Sequence, residues 1–268
     1  IYRLSETSEV RDRRFEFIIL EDESINAFAA PGGIIGINLG MFLNTKREGE
    51  LASVMCHELA HLSQRHYARS QNRSSPLANA LMILASIAVA AASRNPEAIV
   101  IAPAAMQQMS INYTRSNEKE ADRIGFNNLV KAGFDPNDMT MMFQRMQDKY
   151  QRDDSEQFSY LMTHPLPSER LTDMRIRADN ISKPSEGSFR DNLDFYFMQK
   201  RSEIWAEKDT KELIKKYRKD LKSDQRKVSL ASRYGLALAL KKDKKYEESF
   251  KILRELIKEN PNNLVLES

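Results

Sequence analysis

Three groups of residues carry side chains able to bind a metal ion or move a proton. The first is His57-Glu58-Leu59-Ala60-His61. On a helix, side chains four residues apart share a face, so both imidazoles can reach one ion. Glu58, beside the first histidine, is placed to hold a water at that ion and take its proton. Leu51, Ala52, Val54, Met55, Leu59, Ala60 and Leu62 surround the motif, leaving His57, Glu58 and His61 as polar exceptions on a buried helix. A catalytic zinc usually takes three protein ligands and leaves a position for water. His66 fails as the third, because nine residues after His57 on a continuing helix it is turned by about 180°. It reads instead as a surface residue beside Arg65 and Arg69.

Glu118 is the better third ligand. In Glu118-Lys119-Glu120-Ala121-Asp122 the outer acids share one helix face. Glu118 can then bind the metal while Asp122 accepts the free N–H of a liganding histidine and fixes its tautomer. Glu120, turned by about 200° from Glu118, is expected in solvent. Charge compensation at a helix N-terminus is the rival reading for these acids, and the preceding histidine motif outweighs it. The third group is Thr163-His164-Pro165-Leu166-Pro167-Ser168-Glu169-Arg170, a proline-framed turn into a helix that Ser168 would cap. His164 and Arg170 held there could steady the oxyanion formed when water attacks a peptide carbonyl. A histidine on an exposed loop is the alternative. Cys56 is the only cysteine, which excludes an intrachain disulfide. It lies about 100° around the helix from His57 and should face the core.

These groups need elements to hold them. Phe15 to Leu20 and Ile25 to Ala30 read as strands, Pro31-Gly32-Gly33 as a turn, and Ile34 to Leu39 as a third strand. The strand near Gly33–Asn38 is a candidate to pair with an extended substrate. Met41 to Leu43 and Glu48 onward open the motif helix, expected to run to about Ser70. Residues 77–92 are apolar, but 16 residues are short for a bilayer span of about 20. A core helix, a flap over the site, and a membrane-dipping hairpin giving peripheral membrane contact all remain open for this run. Ala98 to Met109, with Pro103, reads as an irregular return segment. Ser116 or Asn117 then caps a helix that ends at Ala132, with Gly133 in the C′ position. Helices from Pro136 to Arg152 and from Ser168 to about Asn180 follow.

With 268 residues, 41% hydrophobic and 29% charged, the chain suits one large domain or two modest ones. Its net charge of +3 hides an asymmetry. Residues 1–198 hold about 22 Lys+Arg against about 26 Asp+Glu, and residues 199–268 about 19 against about 12. The polar linker Ser182 to Ser188 coincides with that shift, so domains 1–183 and 189–268 are expected. The basic second half reads as a solvated helical surface. No groove motif or aromatic interleaving supports a nucleic-acid partner. Leu236, Ala237, Tyr246, Ser249, Leu253 and Pro261 have the spacing of a tetratricopeptide repeat. Residues 192–222 fit a weaker earlier helix pair, and Asn262 would open another. Such repeats need neighbours, so the array is expected to be cut at Ser268. A start at Ile1 rather than Met is expected of a processed or trimmed product. The fold class expected is α+β, a small sheet with site-bearing helices and then an all-α repeat segment.

The order His57/Glu58/His61, then Glu118 and Asp122, then His164-Pro165 with Arg170 resembles the gluzincin metallopeptidases of the HtpX and CAAX prenyl-protease family. Ser24 to Gly33 and Thr114 to Gly125 are similar to segments of a soluble periplasmic branch that ends in a tetratricopeptide array. The resemblance runs from Phe15 to Ala178, and more loosely beyond. It implies a zincin-like metallopeptidase domain, one zinc ion and endopeptidase activity. It also implies the periplasm of a Gram-negative bacterium and a chaperone role in quality control. Misfolded or stalled outer-membrane proteins would be the polypeptide substrates, and the repeats would contact the outer-membrane assembly machinery. In this family the histidine matching His164 can sit on zinc as a fourth ligand and displace the water, closing the site. This chain lacks the C-terminal cysteine pair of some relatives. The rival of another class is a binding module whose repeats dock a partner and whose closed zinc site is a structural staple.

Overall fold

The computed structural model describes residues 1–30, 32–66, 69, 98–152, 160, 161, 164–181, 189, 192–261 and 263–267; the side chains of 98–114, 150, 264 and 267 are outside this description. The apolar run 77–92 and the linker 182–188 lie outside the described residues. No helix among the described residues is long and apolar enough to cross a membrane.

The chain is mostly helical with a small sheet. After α1 (Tyr2–Thr7) come β1 (Glu16–Leu20), β2 (Ala27–Ala30) and β3 (Ile34–Asn38), within two residues of the bounds expected from sequence. Gly32 and Gly33 take φ of 92° and 81° in the β2–β3 turn, a region that favours glycine. Strand order is β1-β3-β2, with β1 parallel and β2 antiparallel to β3. β3 is therefore central and bonded along both edges, which corrects its expected role in pairing with substrate. The outer strands are β1 and β2. Every residue of β1 is exposed, Phe17 at 46% and Ile19 at 52%.

The motif helix is not the single long element expected. α2 (Leu39–Asn44) stops at Thr45, and α3 (Glu48–Ser63) begins after Arg47. The break is held by Glu50, whose Oε2 accepts from the Lys46 N–H at 2.7 Å while Arg145 donates to Oε1 at 2.7 Å. At its far end α3 stops at Ser63 rather than near Ser70, and Arg65 takes a φ of 54°. α4 (Ala98–Lys131) runs unbroken for 34 residues, so the helix expected to start at Ser116 or Asn117 starts earlier and includes Pro103. Its end is as expected. Gly133 has a φ of 84°, its N–H donates to Val130 O, and the Phe134 N–H donates to Leu129 O, which closes the helix in a Schellman turn.

α5 (Asn137–Arg152) and α6 (Ser168–Asp179) complete the site-bearing half. Pro167 is the N-cap of α6 and Ser168 its first residue, so Ser168 does not cap it. Leu59, Leu129, Met139, Met142, Met146 and Met174 are buried in one core shared by α3, α4, α5 and α6. α7 (Leu193–Ala206), α8 (Thr210–Asp220), α9 (Arg226–Lys242), α10 (Tyr246–Glu259) and α11 (Leu264–Glu267) follow. They build separate apolar clusters, one around Tyr217, Leu236 and Leu240 and one around Phe197, Tyr234 and Leu256. Gln199 of α7 donates to the carbonyls of Phe42 and Thr45 at the end of α2, and the Asn192 N–H donates to Glu48 at the start of α3.

Candidate metal centre and active site

Helical spacing on two elements and one tight turn bring the candidate residues together. α3 carries His57, Glu58 and His61, α4 carries Glu118 and Asp122, and His164 precedes α6, whose first turn holds Arg170. The apolar flanks bury α3 against α4. At Gly125 the two helices come so close that a Cβ there would sit 3.0 Å from the His57 backbone. His57, Glu58, Glu118 and Asp122 are all buried.

His57 Nε2 lies 2.9 Å from His61 Nε2 and 3.2 Å from Glu118 Oε2. His61 Nε2 is 3.2 Å from Glu118 Oε1. His164 Nδ1 is 3.0 and 3.2 Å from the two Glu118 oxygens. The candidate ligand atoms of His57, His61, Glu118 and His164 lie within 4.8 Å of one another. Bonds of about 2.0–2.1 Å in a tetrahedron hold ligand atoms about 3.3 Å apart. Three imidazoles and a carboxylate at this spacing therefore fit a zinc ion by both distance and donor chemistry.

The charges agree. Burial alone would lower the His57 pKa, but the carboxylates of Glu118 and Asp122 override it and raise it to about 10. Burial likewise opposes ionisation of Glu118, yet His57, His164 and His61 hold its carboxyl well below the usual range. Asp122 is lowered too, burial being outweighed by His57 and Arg170. The pocket thus favours positive charge between its carboxylates, as a divalent ion would supply.

Glu58 lies beside the cluster. Its Oε1 is buried without a hydrogen-bond partner among the described residues and is 3.6 Å from His164 Nε2. Asp122 Oδ1 is 2.9 Å from His57 Nδ1, the ring nitrogen facing away from the cluster. Arg170 is buried, donating from Nε and Nη2 to Asp122 at 2.6 and 2.7 Å and from Nη1 to Pro165 O at 2.6 Å. Nη1 is also 2.9 Å from Glu118 Oε2. A guanidinium so engaged lies behind the candidate ligands, where it holds Asp122 and Glu118.

Three further contacts escaped the sequence. His66 is buried, with Nδ1 2.8 Å from His61 Nδ1 and Nε2 3.0 Å from Glu120 Oε2. The expectation of a surface histidine assumed a helix continuing past Ser63. The chain instead turns at Arg65 and brings the ring back. Glu120, expected in solvent, is held by His66 and by Arg69 at 2.8 Å. Tyr160, also buried, stacks on His164 with ring centroids 4.5 Å apart and 27° between planes. Its position four residues before His164 was the available signal, and the His164 N–H donates to the Tyr160 carbonyl at 2.7 Å. Cys56 faces the core as expected, and burial pushes its thiol pKa up.

Peptidase family M48 matches residues 1–178. The beta-barrel assembly-enhancing protease of Escherichia coli K12 is 36% identical over 93% of this chain and 51% of its own length. The Yersinia pestis protein of that name is 37% identical over 93% of this chain and 51% of its own. The mitochondrial metalloendopeptidase OMA1 of Schizosaccharomyces pombe is 28% identical over 63% of this chain and 48% of its own. The chain thus spans about half the length of the curated relatives it matches. The buried donor cluster lies within the matched residues, and the chain belongs to peptidase family M48.

Proposed function

We propose that the chain is a zinc endopeptidase in which His57, His61 and Glu118 hold the ion and Glu58 is the general base. The observation that carries this is the buried donor cluster with a Glu58 oxygen at its side that has no hydrogen-bond partner among the described residues. When bound, zinc supplies a Lewis acid for activating water and polarising the scissile carbonyl. Glu58 takes the proton of the attacking water and hands it to the leaving amine. Asp122 keeps His57 in the tautomer that turns Nε2 inward, and Arg170 helps keep Asp122 ionised and holds both Asp122 and Glu118 in place.

His164 acts in this reading as a fourth ligand that closes the resting site. Its contact with Glu118 and its nearness to Glu58 support that role. Moving it away exposes the position a substrate needs and frees an imidazole to steady the oxyanion. The names of the E. coli and Y. pestis relatives support a role in beta-barrel assembly; outer-membrane-protein substrates, a chaperone role beside the assembly machinery and a periplasmic location in a Gram-negative bacterium extend that reading. A peptidase domain at 1–183 and a repeat domain at 189–268 accord with the family match ending at 178 and the separate apolar clusters of the later helices. Tetratricopeptide packing of α9 on α10 is supported by buried Leu236 and Ala237 and by Ser249 Oγ donating to Ala237 O at 2.7 Å.

The second reading, a repeat-based binding module with a structural zinc, is favoured by the same four-donor closure. One casein-cleavage series with metal analysis separates the two. Glu58→Gln is expected to abolish cleavage with one zinc per chain retained, and His164→Ala to raise activity. Cleavage surviving in Glu58→Gln removes Glu58 as base, and no activity in either wild type or His164→Ala favours the module.

A further inference from the structure

His61 presents one ring nitrogen to the donor cluster and the other to His66. Nε2 lies 2.9 Å from His57 Nε2, while Nδ1 lies 2.8 Å from His66 Nδ1. His66 Nε2 in turn lies 3.0 Å from Glu120 Oε2, which also accepts from Arg69 Nη2 at 2.8 Å. A single assignment of protons satisfies this run. If His61 Nε2 carries the lone pair for a metal, Nδ1–H donates to His66 Nδ1, and His66 Nε2–H donates to the Glu120 carboxylate. No donor faces a donor.

The arrangement parallels the support of His57. His57 Nδ1 meets Asp122 directly. His61 is on the exposed side of the pair, with 14% of its side chain accessible, and among the described residues its Nδ1 meets His66 rather than a carboxylate. α4 supplies both acids, Asp122 on the face against α3 and Glu120 on another, and His66 bridges the gap to Glu120. The bridge exists because α3 ends at Ser63 and Arg65 adopts positive φ, returning the buried His66 ring to the cluster.

We infer that His66 and Glu120 form a positioning relay that fixes the tautomer and ring plane of His61, and so tightens the hold on the metal ion. This rests on the reading of His61 as a metal ligand. Partners of liganding histidines typically contribute 10–100-fold in metal affinity. His66→Phe keeps the buried ring volume but removes both nitrogens. Glu120→Leu removes the acceptor at a half-buried site, whereas Glu120→Gln retains a carbonyl oxygen that can accept from His66.

The test is zinc affinity of the full chain, measured by chelator competition, beside the melting temperature of each metal-free protein. Zinc binding is expected to weaken about 10–100-fold in His66→Phe and Glu120→Leu. Glu120→Gln is expected to recover part of that loss. A purely structural role would lower the metal-free melting temperature without changing affinity. If His66→Phe does not fold, the two Glu120 variants decide alone. Affinities within twofold of wild type in Glu120→Leu and in any folded His66 variant overturn the relay while leaving the metal site standing. A wild-type chain that binds no zinc overturns both.

Discussion

Glu118 and Asp122 lie one helical turn apart on α4, and the Arg170 guanidinium meets both while buried itself. An ion pair of this kind adds little over a well-packed apolar pair, but removing one partner leaves charges uncompensated in a low-dielectric interior. Arg170→Leu is therefore expected to destabilise the metal-free protein by about 3–5 kcal/mol, read from urea denaturation. The loss should be smaller with zinc bound, because the ion partly neutralises Glu118. Arg170→Lys keeps the charge but not the fork that spans both Asp122 oxygens, so it should fall between. Equal stability of Arg170→Leu and wild type without metal would contradict the arrangement. At this scale the sequence was legible wherever helix period decided the matter. His57 with His61 and Glu118 with Asp122 needed only a spacing of four. His66 was not legible, because no glycine or proline announces the turn at Arg65, and one residue in a left-handed conformation reverses the direction of all that follow.

The N-terminus of α3 meets Asp138, the second residue of α5. Asp138 is fully buried, and its carboxylate packs where a Cβ on Gly49 would otherwise sit. Arg47 Nη1 lies 3.3 Å from Oδ1. Burial raises the Asp138 pKa to about 7, with Arg47 opposing and the nearby Asp135 and Glu50 adding to the rise. A folded pKa above the unfolded value of 3.8 means that the native state holds the proton more tightly. The associated stability is complete below about pH 4 and is lost as pH rises to about 7. The full loss is on the order of 4 kcal/mol. Asp138→Asn, which cannot ionise, should flatten the fall in melting temperature between pH 5 and pH 8. An unchanged pH slope in Asp138→Asn would show that Asp138 titrates normally. Among the elements, the strands, the end of α4 and the bounds of α5 and α6 were legible from apolar runs, turn residues and the Gly133 stop. The helix α1, the break between α2 and α3, the end of α3 and the start of α4 were not. A proline inside a helix costs about 3 kcal/mol, which argued for a break at Pro103, yet α4 continues through it.

Across the whole molecule, the two halves differ in charge and in core yet are joined by specific bonds. α7 packs on α2, and Gln199 donates to two carbonyls that the end of α2 would otherwise leave without a helical partner. Gln199→Ala should cost about 1–3 kcal/mol and lower the denaturation midpoint of the site-bearing half. A loss confined to the later helices would show that the joint carries no stability across it. The charge shift and repeat spacing made a second, helical half legible in the sequence. The joint itself was not, because one glutamine on an amphipathic helix has no pattern to distinguish it. This joint bears on how such chains can be recombined. A graft that replaces α7 must bring its own donor for Phe42 and Thr45, or the scaffold leading into the motif helix is left uncapped.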